Sequence, residues 1–427
     1  MKKRLFALAA LGVLSLGLAG CDGSSKGNTV ELVYSGTQSD KDFTMKLIDN
    51  FKEMKKAAGD DTNYVIDYVA HGPDKVDSEI IDWTAANSPD VYEYAPDKLA
   101  ILYDKGALAE IRSTYKDFID TKINDFGKIN ATLNGKYYGY PYTGDNTYYF
   151  QYDKRIFTSE EDVKSIERIL EICEEKGYKL GYNLEEAFWG AGVMFTFGAD
   201  YSIEFDRDGK IAGVQADFNT SKGLKGAKAI VKIMSSPAWT NDMVVPTDTN
   251  KIAGCMAGTW DIAAYKDALG NNYACAPMPT VTIDGETKNL GAFVGGKLLG
   301  VNPLRAQNDV KRLTAAHELA MFLAGEECQT KRYNELSWGP CNVDSLKKID
   351  EKPEPDLNMV TLNEQLVFGH AQTSTPSNLW EAAGKLVAGI KDGTYSVEGK
   401  SESGASVGSL TFTNETLQVA IDTYNNA

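Results

Sequence analysis

Apolar and polar positions follow two different periods in the first part of the chain. Residues 30–34 form a short, mostly apolar run of the kind that makes a β-strand, and the run ends at a Ser-Gly turn. Residues 64–69 and 90–94 are two further strand-like runs. Between the first two runs, apolar residues recur at helical spacing, namely Phe43, Leu47, Ile48, Phe51 and Met54. This alternation predicts an α/β fold with a mainly parallel sheet covered by helices.

Later segments continue the same alternation. Residues 136–142 and 147–152 are Tyr-rich extended runs on either side of a Gly-Asp turn, and residues 205–211 predict a hairpin with an Asp-Gly pair at its tip. Helical patterns cover residues 223–234 and 313–336, the second of which ends before a Gly-Pro pair. Because no repeat or long linker interrupts these patterns, any lobes are expected to be closely packed or interleaved in sequence.

The N-terminus combines a positive cluster at residues 2–4 with an apolar stretch at residues 5–18. The stretch is shorter than the roughly 20 residues that span a bilayer, and its Leu-Ala-Gly-Cys ending resembles the bacterial lipobox. An ordinary cleaved signal with an accidental cysteine is the alternative. The lipobox interpretation predicts a signal peptide at residues 1–20, a diacylglycerol on Cys21, a flexible tether at residues 21–29, and a location on the outer face of the cytoplasmic membrane.

Composition and charge narrow the classes of partner. The chain has 427 residues, 43% of them apolar, which is sufficient for a full core and for about two or three domains. Its formal net charge of −16 disfavours nucleic acid and anionic lipid as partners. The three histidines lie far apart, so no histidine-based metal site is predicted. Five cysteines follow Cys21, and Cys255 with Cys275 or Cys328 with Cys341 are possible disulfides, with buried free thiols as the alternative.

Several short segments occur in a characteristic order. Residues 87–111 contain NSPDVYEYAPDK and then GALAEI, and residues 134–154 contain an Asn-Gly-Lys, a Tyr-Pro and a Tyr-Asp-Lys. A Gly-Thr-Trp element at residues 258–260 and the run AFVGGKLLGVN at residues 292–302 follow. In their order and spacing, these segments resemble the carbohydrate-binding lipoproteins of ABC importers, specifically the maltose/maltodextrin-binding branch. The resemblance covers roughly residues 30–425.

This resemblance implies a two-lobed α/β fold of the type II periplasmic-binding-protein kind, with interleaved lobes, a hinge and a ligand cleft. The expected first lobe comprises residues 30–143 and 297–342, and the expected second lobe comprises residues 144–296 and 343–427. The family also implies a monomer that captures an oligosaccharide, above all a maltodextrin, and delivers it to the permease of an ABC importer. It implies no cofactor and no metal ion.

A neutral oligosaccharide has apolar ring faces, which aromatic side chains cover, and hydroxyl rims, which need carboxylate acceptors and N–H donors. Three departures from the family pattern bear on which sugar is bound: Thr37-Gln38 replaces an Asp-Lys pair, Tyr94 replaces a Trp, and Lys98 replaces an Arg. Since tryptophan is usually buried, Trp83 and Trp239 are interpreted as structural. The positions matching the family's site are Gln38, Tyr94, Asp97, Lys98, Asp145, Glu186, Phe188, Trp260, Trp338 and Trp380.

Enzyme motifs are weak in this sequence. Residues 404–408 match G-x-S-x-G, but they lie in the polar, Gly/Ser-rich segment 398–409, which predicts an exposed loop before a last helix. A secreted glycoside hydrolase is the strongest alternative from another class, because Asp97, Asp145 and Glu186 could supply a pair of catalytic carboxylates. A surface adhesin is a third alternative. The resemblance favours a binding protein without catalytic residues.

Overall fold

The computed structural model describes residues 28–73, 75–373, 375, 377–392, 405–407 and 410–412. The expected signal peptide, Cys21 and most of the tether lie outside the described residues. The tether does not extend to residue 29 as expected, because Thr29 pairs with Asn63 as the first residue of a strand. No helix in the described part of the chain is long and apolar enough to cross a membrane.

The described residues form strands and helices that alternate along most of the chain. The strands are β1 (Thr29–Gly36), β2 (Asn63–Ala70), β3 (Val91–Tyr94), β4 (Thr132–Leu133), β5 (Lys136–Tyr137), β6 (Tyr140–Pro141), β7 (Asn146–Asp153), β8 (Lys179–Gly181), β9 (Tyr201–Phe205), β10 (Ile211–Ala216), β11 (Trp239–Thr240), β12 (Ile252–Gly258), β13 (Tyr273–Ala276), β14 (Thr280–Ile283), β15 (Glu286–Asn289), β16 (Phe293–Gly295), β17 (Leu298–Val301), β18 (His370–Ala371), β19 (Ala405–Val407) and β20 (Leu410–Phe412). The helices are α1 (Lys41–Ala57), α2 (Val76–Glu79), α3 (Leu99–Asp104), α4 (Ser113–Lys122), α5 (Asp125–Ala131), α6 (Ile166–Lys176), α7 (Ala187–Met194), α8 (Ser221–Met234), α9 (Ile262–Leu269), α10 (Pro303–Ala306), α11 (Val310–Leu323), α12 (Glu326–Leu336), α13 (Val343–Asp350), α14 (Leu357–Leu366) and α15 (Ser377–Asp392).

The first sheet has the strand order β2-β1-β3-β17-β6. Strands β1, β2 and β3 run parallel, and β17 is antiparallel to β3. Helix α1 buries Leu47, Ile48 and Phe51 in the core of this sheet, and these are residues whose helical spacing predicts that face. Helix α11 adds Leu319 and Leu323 to the same core. The predicted strand-helix-strand opening of the fold is therefore confirmed, but the sheet is mixed and not mainly parallel, because β17 is antiparallel to both β3 and β6.

The second sheet has the strand order β11-β8-β12-β7-β16-β18, and β13 pairs with β7 outside this path. Helices α6, α7, α8 and α15 bury Ile169, Val193, Ile230 and Val387 in its core. The predicted helix at residues 223–234 is part of α8. The predicted hairpin is β9–β10, with a positive φ at the Gly of its Asp-Gly tip.

The chain passes between the two sheets more than once. The first sheet takes its strands from residues 29–141 and 298–301, whereas the second takes them from residues 146–295 and 370–371. Where the chain crosses, Tyr142 N–H donates to the Lys297 carbonyl, and Gly144 N–H donates to the Gly339 carbonyl. Two interleaved lobes joined by adjacent crossing segments are thus present. The residue at which each lobe begins stays a prediction.

Two further expectations from the sequence need correction, and one open alternative is decided. The helix expected at residues 313–336 is two helices, because Gly325 adopts an extended conformation as the N-cap of α12. The loop expected at residues 398–409 contains a strand, since β19 pairs antiparallel with β20, and the last helix falls outside the described residues. Of the two alternatives left open for the five cysteines that follow Cys21, buried free thiols are observed, and neither possible disulfide forms.

Candidate functional site

A cleft lies where the ends of strands from the two sheets face each other. Strands β1 and β3 are parallel, so the turns that follow them lie at one edge of the first sheet. In the second sheet β12 and β16 are both antiparallel to β7, so they end at the edge where β7 begins. Strand β8 is parallel to β12 and β18 is parallel to β16, so these two strands end at the same edge. Open α/β sheets bind ligands at such edges. The cleft has a volume of about 590 Å³ and is lined by Pro73, Ala95, Asp97, Lys98, Asn146, Glu186, Phe188, Trp189, Trp260, Gly296, Lys297 and Gln372.

The first-lobe wall of this cleft is polar. It is a short 3-10 turn, Pro96–Lys98, which follows β3 directly and leads into α3. Proline at the first position of the turn restricts φ to helical values. Asp97 is 9% exposed, and Lys98 Nζ lies 3.2 Å from Asp97 Oδ2. The turn therefore places a hydrogen-bond acceptor and a donor side by side at the cleft.

The second-lobe wall is aromatic and is supported from behind. Glu186 caps the N-terminus of α7, and its Oε2 accepts from the Phe188 N–H at 3.1 Å. The Phe188 ring stacks on Phe293, with centroids 5.5 Å apart and planes 15° from parallel. Trp189 Nε1 donates to the Met256 carbonyl at 2.8 Å. Because each ring has a fixed partner, this wall presents rigid aromatic surface to the cleft.

Trp260 is the most open aromatic side chain in the cleft lining. It lies in the 3-10 turn Thr259–Asp261 after β12, and 53% of its surface is exposed. Its ring centroid is 6.2 Å from that of Phe188. A Cβ built on Gly258 would lie 2.1 Å from Cε2 of Trp260, so the ring occupies the space that any side chain at residue 258 would need. Such an exposed tryptophan beside a cleft has the geometry of a stacking platform for a ligand.

Comparison with known proteins relates this chain to a family of extracellular binding proteins. The family described as bacterial extracellular solute-binding protein matches residues 46–357, more than half of the chain. The chain belongs to this family. A maltodextrin-binding protein, MdxE of Bacillus subtilis, is 23% identical over 93% of this chain and 94% of its own. A galactooligosaccharide-binding protein of the same organism is 24% identical over 64% of each chain.

Solved structures show the same fold. The maltodextrin-binding protein MalE1 from L. casei superimposes with a TM-score of 0.73 and 18% identity, covering 93% of this chain and 98% of that protein. A cyclo/maltodextrin-binding protein complexed with maltotetraose superimposes with a TM-score of 0.68 and 18% identity, covering 95% and 98%. The two-lobed fold expected from the resemblance is therefore confirmed for this solute-binding protein.

Five of the ten residues expected in the binding site line the cleft of this solute-binding protein together. Asp97 and Lys98 come from the first lobe, and Glu186, Phe188 and Trp260 come from the second. The first-lobe pair and the second-lobe residues are far apart in the sequence, and the two lobes bring them to opposite walls of the cleft. Their assignment as sugar contacts stays a prediction.

Three of the remaining five residues lie near the cleft lining without being part of it. Gln38 is exposed in the turn after β1, at the same sheet edge as Asp97. Trp380 is half-buried behind the aromatic wall, with its ring centroid 6.4 Å from that of Phe188. Tyr94 is 0% exposed and packs in the first-lobe core, so its ring has no face open to a ligand in this structure.

Asp145 and Trp338 lie at the crossing between the lobes. Asp145 Oδ2 accepts from the Gly339 N–H at 2.6 Å, and its side chain faces a separate cavity of about 230 Å³ that also includes Tyr333 and Asp356. The Trp338 ring is half-buried, and Lys297 Nζ lies 3.8 Å from its centroid. Neither of these predicted residues is part of the cleft lining.

Sequence reasoning missed several residues of the lining. Asn146 Nδ2 donates to Gln372 Oε1 at 2.8 Å, and Gln372 Nε2 donates to Asp97 Oδ1 at 3.4 Å, so these amides link the second sheet to the first-lobe wall. No motif marks Asn146 or Gln372, because a single Asn or Gln residue does not form a recognisable sequence pattern. Trp189, next to the predicted Phe188, could have been found from its position alone.

The carboxyl groups near the cleft differ in their electrostatic surroundings. Desolvation raises the pKa of Glu186 although its side chain is still exposed to solvent, and the Phe188 N–H lowers it in part. Burial also raises the pKa of Asp145, against the opposing effects of the Gly339 N–H and the Lys297 charge. Glu186 is therefore a hydrogen-bond acceptor whose protonation shifts toward less acidic pH.

Proposed function

We propose that this solute-binding protein is anchored by a lipid on Cys21 and captures an oligosaccharide, above all a maltodextrin, for uptake by an ABC importer. The observation that supports this most strongly is the pairing of an aromatic wall with a polar wall across one cleft. The ring face of a glucose unit presents C–H groups that fit Trp260, and its hydroxyl rim fits Asp97 and Lys98. The relatives named for maltodextrin binding support the same ligand class.

Binding would occur in two steps. In the open form the sugar contacts one wall, and hinge closure then brings the second wall onto its other side. Closure is favoured only by contacts that the sugar makes better in the closed form. Opening of the lobes would have to break contacts between them, such as the hydrogen bond that Tyr103 OH of the first lobe donates to the Gly209 carbonyl of the second at 2.8 Å.

Two other functions remain as candidates. The galactooligosaccharide-binding relative favours a different glycan in the same cleft. A glycoside hydrolase would use Asp97 and Glu186, which lie on opposite walls. Both carboxylates have hydrogen-bonding partners that suit ligand binding, because Glu186 accepts from the Phe188 N–H and Asp97 lies beside Lys98. We therefore propose that the cleft binds sugar without cleaving it.

Isothermal titration calorimetry of the protein from Asp22 onward tests the ligand. Maltotriose, galacto-, xylo-, manno- and cello-oligosaccharides are titrated in parallel, and each sugar is analysed by chromatography afterwards. Saturable binding of maltotriose at micromolar strength, with the sugar recovered intact, is the expected result. Binding of another glycan alone would change the ligand and keep the transport role. Released products would indicate a hydrolase, and no binding at all would contradict sugar capture.

A separate experiment tests the anchor. Cells that produce the full chain are labelled with an alkyne fatty acid, and the protein is isolated and conjugated to a fluorophore. Label is expected on the wild-type protein and is expected to be absent from Cys21→Ala, which should also be released from the membrane fraction. Equal labelling of both proteins would contradict the lipid anchor at Cys21.

A further inference from the structure

Lys297 is a cation of the cleft whose side chain lies on an aromatic ring. It follows Gly296 at the crossing between the lobes, and it is part of the cleft lining. Its Nζ lies 3.8 Å from the centroid of the Trp338 ring, well within the range of a cation–π contact. The ring itself is not part of the cleft lining. Lys297 therefore contacts the Trp338 ring and also lines the cleft.

The backbone of Lys297 is held in place on both sides. Its N–H donates to Thr143 Oγ1 at 3.0 Å, and its carbonyl accepts from the Tyr142 N–H at 3.0 Å. A Cβ on Gly296 would lie 2.0 Å from the Thr143 carbonyl oxygen, so the two crossing segments touch closely. The crossing segments therefore fix the backbone of Lys297, and the Trp338 ring positions its ammonium group.

The ammonium group of Lys297 also differs from the other cleft lysine. Lys98 Nζ lies 3.2 Å from a carboxylate oxygen of Asp97. Within the described part of the chain, Lys297 forms no ion pair, and its charge acts on Asp145 only from a greater distance. An ammonium has three N–H donors, and a ring face satisfies them weakly. Lys297 therefore has N–H donors available to a polar ligand in the cleft that it lines.

We propose that Lys297 donates a hydrogen bond to a sugar hydroxyl at the hinge end of the cleft, and that Trp338 positions its ammonium. This inference rests on the proposed sugar-binding function. It changes the role of Trp338, which acts through Lys297 and does not stack on the sugar. A charge-assisted bond to a hydroxyl is stronger than a neutral one. Lys297 thus helps to determine which hydroxyl the cleft recognises.

A double-mutant cycle tests the pair. Lys297→Met keeps most of the side-chain length and removes the donors, and we expect maltotriose to bind about tenfold more weakly. Trp338→Leu is expected to weaken binding about threefold to fivefold in the wild-type background, and to have no further effect in Lys297→Met. Lys105→Met, at an exposed lysine after α3, is the matched control and should bind like the wild type.

Monodeoxy derivatives of maltotriose identify the hydroxyl. One derivative is expected to lose affinity for the wild-type protein and to bind Lys297→Met as well as maltotriose does. Equal affinity of Lys297→Met and the wild type would overturn the proposal, and so would an undiminished effect of Trp338→Leu in the double variant. Failure of the wild-type protein to bind any sugar in the panel would overturn the proposed function itself, which separates the two failures.

Discussion

The two walls of the cleft are built in different ways. The first-lobe wall is a single polar turn, in which Asp97 and Lys98 already contact each other. The second-lobe wall is a set of aromatic rings that rest on the core, such as Phe188 on Phe293. The rings gain binding free energy by removing apolar surface from water, whereas the polar groups must first lose their hydration. The comparison indicates that the aromatic wall supplies most of the affinity and the polar wall most of the selectivity.

The largest expected effect comes from removing the open ring of the aromatic wall. Trp260→Ala should weaken maltotriose binding about thirtyfold, or about 2 kcal/mol, because the exposed ring face loses its contact with the sugar. Calorimetry measures the affinity and thermal unfolding measures the stability. The control is Trp239→Phe. Trp239 lies outside the cleft lining, and its Nε1 donates to the Tyr182 carbonyl. Wild-type affinity in Trp260→Ala would contradict the claim that the aromatic wall supplies most of the affinity.

A second change displaces the same ring without removing it. The Cβ in Gly258→Ala would collide with the Trp260 ring, so we expect the ring to shift and binding to weaken about tenfold. Gly384→Ala is the matched control, since a Cβ there meets nothing within 4 Å. Tryptophan fluorescence should report the shift in Gly258→Ala. Unchanged fluorescence together with unchanged affinity would show that the position of the ring is not critical.

The polar wall is tested by removing one charge. Asp97→Asn keeps the shape and an acceptor for the Gln372 amide, and it should weaken binding about fivefold. The loss should differ among sugars if this wall sets selectivity, so the variant is titrated with maltotriose and with a galactooligosaccharide. Asp104→Asn, at an exposed carboxylate of α3, is the control. An equal loss of affinity for both sugars would argue against the claim that the polar wall supplies most of the selectivity.

The smallest expected effect is a pH dependence from Glu186. Since desolvation raises the pKa of this carboxyl, it becomes protonated at a higher pH than an ordinary glutamate, and the sugar then loses an acceptor. Affinity should therefore fall about twofold as the pH falls through the raised pKa. Stability should change in the opposite direction, because the folded state binds the proton more readily than the unfolded state does.

Glu186→Gln provides the comparison for this pH effect. The amide does not titrate, so the affinity of this variant should vary less with pH than that of the wild type. Calorimetry with maltotriose at pH 4.5 and pH 7 measures both proteins. An equal pH dependence in the two proteins would assign the effect to another group.

Local patterns predicted much of the fold because they report local chemistry. The helical spacing of Leu47, Ile48 and Phe51 marks the face that α1 buries, and the Asp-Gly pair marks the tip of β9–β10. The helix break at Gly325 escaped prediction, because helix-forming residues follow the glycine and only its extended backbone marks the break. The buried Arg332, whose Nη1 donates to the Leu323 carbonyl at 2.6 Å, links α12 back to the end of α11.

The sequence by itself determined the fold class, and it predicted five residues of the cleft lining because the motifs around Asp97, Glu186 and Trp260 are continuous in the chain. Tertiary structure alone decided which of the residues that match the family's binding site face the cleft. Tyr94 points into the core, Asp145 faces another cavity, and Gln372 reaches Asp97 from a distant part of the chain. The physical reason is that the direction of a side chain and the meeting of distant segments depend on how the two lobes pack, which local spacing does not encode.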